Sequence, residues 1–297
     1  MKLRKLGKTD NMLSEIGLGC MSLPVDNEAE SIKLIHHALD AGINVLDTAD
    51  LYQQGGNEEV VGKAIHDRRD KVFLCSKVGN EWKADGSWTW NPRKEYIVKA
   101  IKESLKRLKT DHIDLYQMHG GTMEDPLDES LEAMTQLQSE GLIRNYGISS
   151  IRPTVIKWWV ENSGLASVMV QYSLLDRRPE EQIFPLLADK GIGILLRGTL
   201  AQGLLVDKPA KDYLARNADM VAFVQEKIKQ VAGSLSPELV ALNFVLKRSE
   251  VDVAVVGIRT EKQLKGMIAA LDYKLSADDY MALKEAAPAY TYEDHRI

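Results

Sequence analysis

The feature that most constrains the fold of this chain is a regular alternation between short apolar runs and longer amphipathic segments. The runs are rich in Val, Ile or Leu at consecutive positions, which is typical of parallel strands buried on both faces. Eight such runs occur, at residues 15–20, 43–47, 71–77, 113–119, 143–150, 167–173, 191–197 and 251–257. The chain is therefore predicted to contain a parallel sheet.

Segments with helical periodicity lie between and after these runs. Eight of them follow the strands, at residues 28–42, 57–67, 92–110, 126–141, 153–164, 179–191, 236–248 and 260–272. Two extra helices, at about 217–233 and 276–290, fall outside the alternation. The pattern predicts an α/β fold, a (β/α)8 TIM barrel with two extra helices, spanning 1–297 as a single domain. A doubly wound sheet is the competing architecture, but its G-x-G-x-x-G turn is absent.

Charge and cysteine content restrict the partners and the compartment. The net charge of −5 argues against a nucleic-acid or anionic-membrane surface, and no apolar run approaches the ~20 residues of a membrane helix. Cys20 and Cys75 form no Cys/His motif, so we expect reduced thiols, no metal site and a cytoplasmic protein. Residues 1–17 lack the long apolar run of a signal peptide.

Three chemically useful side chains end predicted strands. Asp47, Lys77 and His119 are the last residues of the second, third and fourth runs, and Tyr52 lies in the loop five residues after Asp47. Taken singly, Asp47 is also compatible with a turn cap, Lys77 with a strand reaching the surface and His119 with a structural histidine. Because the carboxyl ends of barrel strands share one mouth, we expect the four side chains to meet there.

Together the four side chains suit proton transfer to an oxygen on which negative charge develops. A buried Lys77 needs a counterion, which Asp47 can supply. A lysine beside the Tyr52 phenol is expected to lower its pKa towards the working range, and His119 can hold a carbonyl oxygen. Asp50, in the same stretch, is interpreted as a loop residue that caps a turn or is solvated.

The remaining strand ends are suited to a cofactor. Hydroxyls and an amide that suit a carboxamide, glycines that allow close approach of a pyrophosphate, and a cation at a helix N-terminus all occur there. The candidate residues are Gly19, Cys20, Met21, Asp47, Ser149, Ser150, Gln171, Arg197, Gly198, Gly257, Ile258 and Arg259. For Arg259 the alternative is a merely exposed arginine beside a Thr260 helix cap.

The sequence resembles the aldo-keto reductase family along nearly its whole length. The segments that carry the resemblance are "GLGCMSL", "GINVLDTADLYQQGGNEEVVGKAI", "VFLCSKVG", "SLKRLKTDHIDLYQMH", "GLIRNYGISS", "VMVQYSLL", "AQGLL" and "VVGIRTEKQL". Their order and spacing match the family, and the second and fourth are its most specific motifs.

The resemblance implies reversible, NADPH-dependent reduction of small aldehydes or ketones to alcohols. It makes Tyr52 the general acid, Lys77 with Asp47 the pair that lowers its pKa, and His119 the residue that orients the carbonyl. It also assigns cofactor contacts by position: Ser149 and Gln171 to the carboxamide, Gly198, Leu200, Gln202 and Gly203 to the pyrophosphate, and Arg259 and Gln263 to the adenosine-phosphate end. The last two favour NADP, with NAD less expected.

Among several departures from the family pattern, two affect cofactor residues at the ends of predicted strands. Ser150 stands where many members have asparagine and lacks its amide. Arg197 stands where relatives often have an aromatic residue stacked on the nicotinamide. A planar guanidinium can also stack, and it places a positive charge beside the ring.

Two tryptophan clusters leave alternatives open. Trp82 and Trp88, in the segment after Lys77, are candidates for an aromatic wall of the substrate pocket, or for a loop anchored by its own aromatics. Trp158 and Trp159 diverge by ~100° on a helix, so at most one need face the core. An exposed partner surface there would favour a second function, a nucleotide-sensing regulatory subunit with slow turnover.

Overall fold

The computed structural model describes residues 1–297 and contains twelve strands. They are β1 (Leu3–Lys5), β2 (Met12–Ser14), β3 (Ile16–Gly19), β4 (Val45–Asp47), β5 (Phe73–Val78), β6 (Asn80–Trp82), β7 (Trp88–Trp90), β8 (Ile113–Met118), β9 (Ile143–Ser149), β10 (Ser167–Gln171), β11 (Gly193–Arg197) and β12 (Val253–Gly257). Eight of them close into one parallel barrel in the order β3-β4-β5-β8-β9-β10-β11-β12, and β12 pairs again with β3. The predicted TIM barrel and all eight of its predicted strands are confirmed.

Ten helices complete the fold. They are α1 (Glu28–Asp40), α2 (Gly56–Ile65), α3 (Lys94–Leu108), α4 (Leu127–Ser139), α5 (Pro153–Asn162), α6 (Ile183–Lys190), α7 (Ala218–Ala232), α8 (Pro237–Leu246), α9 (Glu261–Ala270) and α10 (Ala277–Ala286). Of these, α7 and α10 are the two predicted extra helices. None is long and apolar enough to cross a membrane. On α5, Trp159 is buried in the core and Trp158 is half-buried, so the pair provides packing and no exposed aromatic surface.

The barrel interior explains why polar groups gather at one end. Val45, Cys75, Met169 and Leu195 belong to a separate apolar cluster inside the barrel. Side chains alternate along a strand, so the residue two positions further on faces the same interior. Those residues are Asp47, Lys77, Gln171 and Arg197. The apolar layer therefore ends in a polar layer at the carboxyl ends of the strands.

Two hairpins were not predicted from the sequence. β1 pairs antiparallel with β2 before the barrel begins, and Leu6 and Leu13 from this region join the interior cluster. β6 pairs with β7, with Trp82 opposite Trp88, so the tryptophan-bearing segment is a hairpin and not an irregular loop. Each of these strands has only three residues, which is too short for a periodic pattern to reveal.

Candidate active site

The structure brings the four predicted residues to one mouth of the barrel. Asp47 ends β4, Lys77 lies in β5, and His119 follows β8, with its backbone N–H bonded to the Val78 carbonyl at 2.8 Å. Tyr52 opens a 3-10 turn over Tyr52–Gly55. The proximity expected from the strand ends is therefore present in the structure.

Lys77 is the centre of this cluster. Its side chain is 1% exposed, and Nζ donates to Asp47 Oδ1 at 2.6 Å and to the Thr48 carbonyl at 2.8 Å. The third group near Nζ is the Tyr52 hydroxyl, at 3.4 Å. An ammonium has three protons to donate, so all three directions of the buried cation have an acceptor. The expected pairing of Lys77 with Asp47 is confirmed.

Burial changes the pKa values of both members of the Asp47–Lys77 pair. Burial raises the pKa of Asp47, and the Lys77 cation opposes that rise. Burial lowers the pKa of Lys77, but Asp47 and Tyr52 together raise it by more, so the net direction is upward. The two shifts favour opposite assignments of the shared proton. Three acceptors surround Nζ, so the proton stays on Lys77 and the pair is ionised.

The Tyr52 phenol keeps its proton more firmly than the sequence suggested. Burial raises its pKa, Lys77 lowers it, and the net direction is upward. The expectation of a net fall is therefore wrong for this structure, because desolvation of the phenolate outweighs the nearby cation. Tyr52 is accordingly a neutral hydroxyl near pH 7, which is the form that can donate a proton.

His119 packs edge-on against Tyr52. The ring centroids are 5.8 Å apart and the ring planes meet at 80°. Burial and the cations Lys77 and Arg197 lower the pKa of His119 to about 3, so the imidazole is neutral. Its Nδ1 is buried without a hydrogen-bond partner. A buried polar atom of this kind is costly unless a ligand or water satisfies it.

The backbone around Tyr52 is held from several sides. Gln53, Gln54 and Gly55 have positive φ values of 47°, 54° and 87°. A Cβ added at Gly55 would lie 2.7 Å from Arg107 Cδ, so the arginine packs directly against this turn. Glycine is the residue that tolerates both the conformation and the close approach. The turn that carries the phenol is therefore strongly constrained.

A buried amide also ties the ends of β3 and β4 to α2. The Thr48 hydroxyl donates to Asn57 Oδ1 at 2.7 Å, and Asn57 Nδ2 donates to the Cys20 carbonyl at 2.8 Å. Asn57 is fully buried at the start of α2. Sequence reasoning did not single out Thr48 or Asn57, and no local pattern marks either as buried.

Asp50 does not behave as a solvated loop residue, so that interpretation was wrong. Its side chain is buried, Oδ1 has no hydrogen-bond partner, and Oδ2 lies 3.5 Å from the Tyr96 hydroxyl, which has a closer acceptor in the Asn80 carbonyl at 3.0 Å. Burial and the negative charge of Glu58 raise the pKa of Asp50 to about 8. Glu58 is itself fully buried and takes Arg107 as its partner, with an Nε–Oε2 distance of 2.8 Å.

On the opposite side of the mouth, the Gln171 and Arg197 side chains form a hydrogen-bonded pair. Arg197 Nη1 donates to Gln171 Oε1 at 2.9 Å. Ser149 and Ser150 are both buried, and Ser150 Oγ accepts from the Arg152 N–H at 3.1 Å. The Ser150 oxygen is thus engaged within its own loop.

The segment after β11 is a tight turn that contains four residues with positive φ values. Gly198, Ala201, Gln202 and Gly203 have positive φ values of 68°, 46°, 59° and 91°. The turn is closed by its own backbone, because the Ala201 and Gly203 N–H groups donate to the Gly198 and Leu200 carbonyls, each at 2.9 Å. Leu200, the other predicted member, is half-buried in the same turn. Gly198 and Gly203 carry no side chain, so a pyrophosphate could approach the backbone closely at these two positions.

Arg259 lies between the end of β12 and the start of α9. It lines a cavity of about 330 Å³ between α1 and α9 together with Lys33 and Lys262, which sequence reasoning missed. Glu30 and Glu261 line the same cavity, so its charge is mixed. Gln263 is exposed, and its Oε1 accepts from the Arg259 N–H at 2.8 Å.

The other predicted cofactor residues line the junction of β3 and β12. Gly19 pairs with Gly257, which is exposed at the strand end, whereas Ile258 is buried. Met21 is 57% exposed. Burial raises the pKa of the Cys20 thiol, and its Sγ contacts the Leu18 carbonyl at 3.6 Å, so this side chain points into the core.

In the hairpin of β6 and β7, Trp90 is held by a hydrogen bond, whereas Trp88 is largely exposed. Trp90 Nε1 donates to Asp125 Oδ2 at 2.9 Å, which ties the hairpin to the loop after β8. Trp88 is 52% exposed, whereas Trp82 is half-buried with its Nε1 unpaired. Trp82 and Trp88 are thus free to contribute surface beside the mouth.

Comparison with known proteins identifies one family. The family model described as "Aldo/keto reductase family" matches residues 15–288. The chain is similar to the Bacillus subtilis "Uncharacterized oxidoreductase YqkF", with 44% identity over the whole of both chains. It is 30% identical to the Escherichia coli "NADH-specific methylglyoxal reductase", over 97% of this chain and 99% of the relative.

A solved structure extends the similarity to the backbone. The aldo-keto reductase AKR11C1 from Bacillus halodurans is 43% identical in its holo form, covers 100% of both chains and gives a TM-score of 0.95. The apo form of the same protein gives 0.87 at the same coverage. The family model and the relatives matched along the whole chain show that the chain belongs to the aldo/keto reductase family.

Proposed function

We propose that this oxidoreductase reduces aldehydes or ketones to alcohols with NADPH, reversibly. The observation that carries the proposal is the buried Lys77, with Nζ 2.6 Å from Asp47 Oδ1 and 3.4 Å from the Tyr52 hydroxyl. A cation held there stabilises negative charge on the phenolic oxygen as its proton leaves. The arrangement suits a proton donor to a carbonyl oxygen.

The four residues would then have separate roles. Tyr52 donates its proton to the substrate oxygen as the carbonyl is reduced. Lys77 stabilises the resulting phenolate, and Asp47 keeps Lys77 charged and in place. His119, neutral over the physiological pH range, donates a hydrogen bond that orients the carbonyl.

The nicotinamide nucleotide would supply the hydride. Ser149 and Gln171 would hold its carboxamide, and the segment Gly198–Gly203 its pyrophosphate. The Arg197 guanidinium would stack on the nicotinamide ring, where its charge favours the reduced, uncharged form over the oxidised cation. Aldo-keto reductases use nicotinamide cofactors, which supports this assignment.

The preference for NADP rests on the cavity around Arg259. Lys33, Lys262 and Arg259 give three cations against the carboxylates of Glu30 and Glu261. Glu261 contacts His37 and forms no salt bridge with Arg259. A relative with 30% identity is named NADH-specific. NADP differs from NAD only by the phosphate on its adenosine ribose, so contacts at this end of the site would decide the preference.

The test is the rate of NADPH oxidation with a panel of aldehydes and ketones. Tyr52→Phe removes the hydroxyl and is expected to lower kcat by about 10²- to 10⁴-fold while NADPH binding persists. Tyr273→Phe is the control, because Tyr273 lies after α9 and outside the mouth. Equal turnover by wild type and Tyr52→Phe would contradict the proposed role of Tyr52.

We propose further that Trp82 and Trp88 form one wall of the substrate pocket. Trp88→Ala is expected to raise KM several-fold for bulky apolar aldehydes and to leave methylglyoxal reduction nearly unchanged, because a small substrate cannot reach the wall. Stability should not change, since Trp88 is 52% exposed.

The matched control for this prediction is Phe223→Ala. Phe223 is 50% exposed on α7, outside the hairpin. The Phe223→Ala variant should have an unchanged KM for every substrate. A Trp88→Ala protein with wild-type KM for bulky aldehydes would instead support a hairpin whose aromatics serve only to anchor it.

A further inference from the structure

The chain after α10 returns to the mouth of the barrel and packs along the loop that follows β10. The Arg216 guanidinium contacts the Pro288 carbonyl, and the Thr154 N–H donates to the His295 carbonyl at 3.0 Å. Gln182 Nε2 donates to the Ile297 carbonyl at 2.6 Å. Residues 288–297, called here the C-terminal strap, therefore lie against α5, α6 and the β10 loop.

Two tyrosines of the C-terminal strap enclose an arginine of that loop. The Arg178 Cζ lies 5.0 Å from the Tyr292 ring centroid and 5.7 Å from that of Tyr290. Tyr292 is 5% exposed, so its contact with the guanidinium is largely shielded from water. Arg216 covers the Tyr290 ring at 4.9 Å. Cation–π contacts of this kind strengthen when they are desolvated.

Arg178 in turn holds a fully buried carboxylate. Its Nε and Nη2 donate to Asp176 Oδ1 and Oδ2 at 2.7 and 2.8 Å, which is a bidentate pair. The Tyr290 hydroxyl also donates to Asp176 Oδ1, at 3.4 Å. Because Asp176 is 0% exposed, its position depends on these partners and not on solvent.

Asp176 and Arg197 together determine which way the Gln171 amide points. Gln171 Nε2 donates to Asp176 Oδ2 at 2.9 Å, and Gln171 Oε1 accepts from Arg197 Nη1 at 2.9 Å. A flipped amide would place its oxygen against a carboxylate and its NH₂ group against a guanidinium, and both contacts would be repulsive. The amide oxygen therefore faces Arg197, and its second lone pair remains available as an acceptor.

We propose that Asp176 and Arg178, held by Tyr290 and Tyr292 of the C-terminal strap, are positioning residues that make Gln171 an acceptor specific for the carboxamide N–H of the nicotinamide. This inference rests on the proposed function, in which Gln171 holds that carboxamide. It predicts chemical selectivity: a nucleotide with a carboxylate in place of the carboxamide has no N–H to donate and repels the Gln171 oxygen. The selectivity depends on residues that do not touch the cofactor.

The experiment compares the dissociation constants of NADP and of its nicotinic acid analogue by isothermal titration. Wild type is expected to bind the analogue at least tenfold more weakly. Asp176→Asn removes the charge that orients the amide, and Tyr292→Leu removes a ring that holds Arg178. The quantity measured is the dissociation constant of the analogue divided by that of NADP. Both variants should lower this ratio at least threefold, whereas Tyr292→Phe keeps the ring and should keep the ratio.

The ratio separates a positioning role from a purely structural one. A structural defect weakens both nucleotides equally and leaves the ratio unchanged, as expected for Tyr273→Leu, the control tyrosine outside the strap. Arg178→Lys provides a further variant with the charge kept and the bidentate pair lost, in case Asp176→Asn does not fold.

The outcomes for the two proposals can be distinguished. An unchanged ratio in Asp176→Asn, Arg178→Lys and Tyr292→Leu, with discrimination intact in wild type, overturns the positioning role and leaves the proposed function standing. Equal binding of both nucleotides by wild type also overturns it. Failure of wild type to bind either nucleotide overturns the proposed function and this inference together.

Discussion

Among single residues, Asp50 has an environment that makes protein stability depend on pH. It is buried, forms no salt bridge, and has its pKa raised to about 8 by burial and by Glu58. Between about pH 4 and 8 the unfolded chain releases this proton while the folded protein retains it. The Asp50 contribution to the free energy of unfolding therefore falls as pH rises, by at most about 1.4 kcal/mol per pH unit.

The prediction is that Asp50→Asn removes this loss. Relative to wild type, the variant should gain free energy of unfolding as pH increases from 5 to 8, because the amide stays neutral in both states. Urea unfolding at the two pH values measures the difference. Asp189→Asn is the control, since its side chain is 75% exposed. If the free energy of unfolding of wild type instead rises relative to that of Asp50→Asn between pH 5 and pH 8, Asp50 is ionised in the folded protein.

Among the elements, the contact between α2 and α3 controls the position of the Tyr52 turn. α2 begins at Gly56, directly after that turn. A Cβ added at Gly62 of α2 would lie 2.5 Å from the Arg107 carbonyl oxygen and 2.7 Å from the Leu108 backbone. Side-chain rotation cannot relieve a clash with backbone, so the two helices approach as closely as they do only because residue 62 is glycine.

Gly62→Ala is expected to cost about 1–3 kcal/mol of unfolding free energy, although alanine is the better helix former. It should also lower kcat, because a shift of α2 moves Tyr52. Gly56→Ala is the matched control on the same helix: its Cβ would meet only the Gln53 Cβ, at 3.8 Å. Urea unfolding and steady-state rates measure both effects, and equal stability of the two variants would contradict the close-packing account.

For the whole molecule, nucleotide binding should appear as added stability. The backbone agrees better with the holo than with the apo form of AKR11C1, with TM-scores of 0.95 and 0.87. A ligand at one hundred times its dissociation constant stabilises the folded state by about 2.7 kcal/mol. NADPH is therefore expected to raise Tm by roughly 5 °C, and NADH at the same concentration by less.

Arg259→Leu tests the origin of that difference by thermal denaturation. It should reduce the NADPH shift to the NADH level, whereas Lys106→Leu, which removes an exposed cation on α3, should change neither shift. Equal shifts from the two nucleotides in wild type would contradict the NADP preference. A zero shift from both would contradict nucleotide binding at this mouth.

Prediction from sequence succeeded where a local pattern carried the information. The barrel strands are consecutive apolar residues because both of their faces are buried, and this is visible in any short window. Position at the ends of such strands was enough to bring Asp47, Lys77 and His119 to one mouth, and the family resemblance supplied their proposed roles. The three-residue strands of the two hairpins left no comparable pattern.

Prediction failed where burial decides the behaviour of a polar group. Asp50 reads as a loop residue, yet the loop lies beneath Tyr96 and beside Glu58. The net pKa of Tyr52 depends on how much water its neighbours exclude, and the orientation of Gln171 depends on Asp176 and the distant strap. Strand and helix periods follow from neighbours along the chain, so the amino-acid order alone specifies the barrel and its polar mouth. Desolvation and hydrogen-bond direction depend on atoms far apart in sequence, and only the packed molecule establishes them.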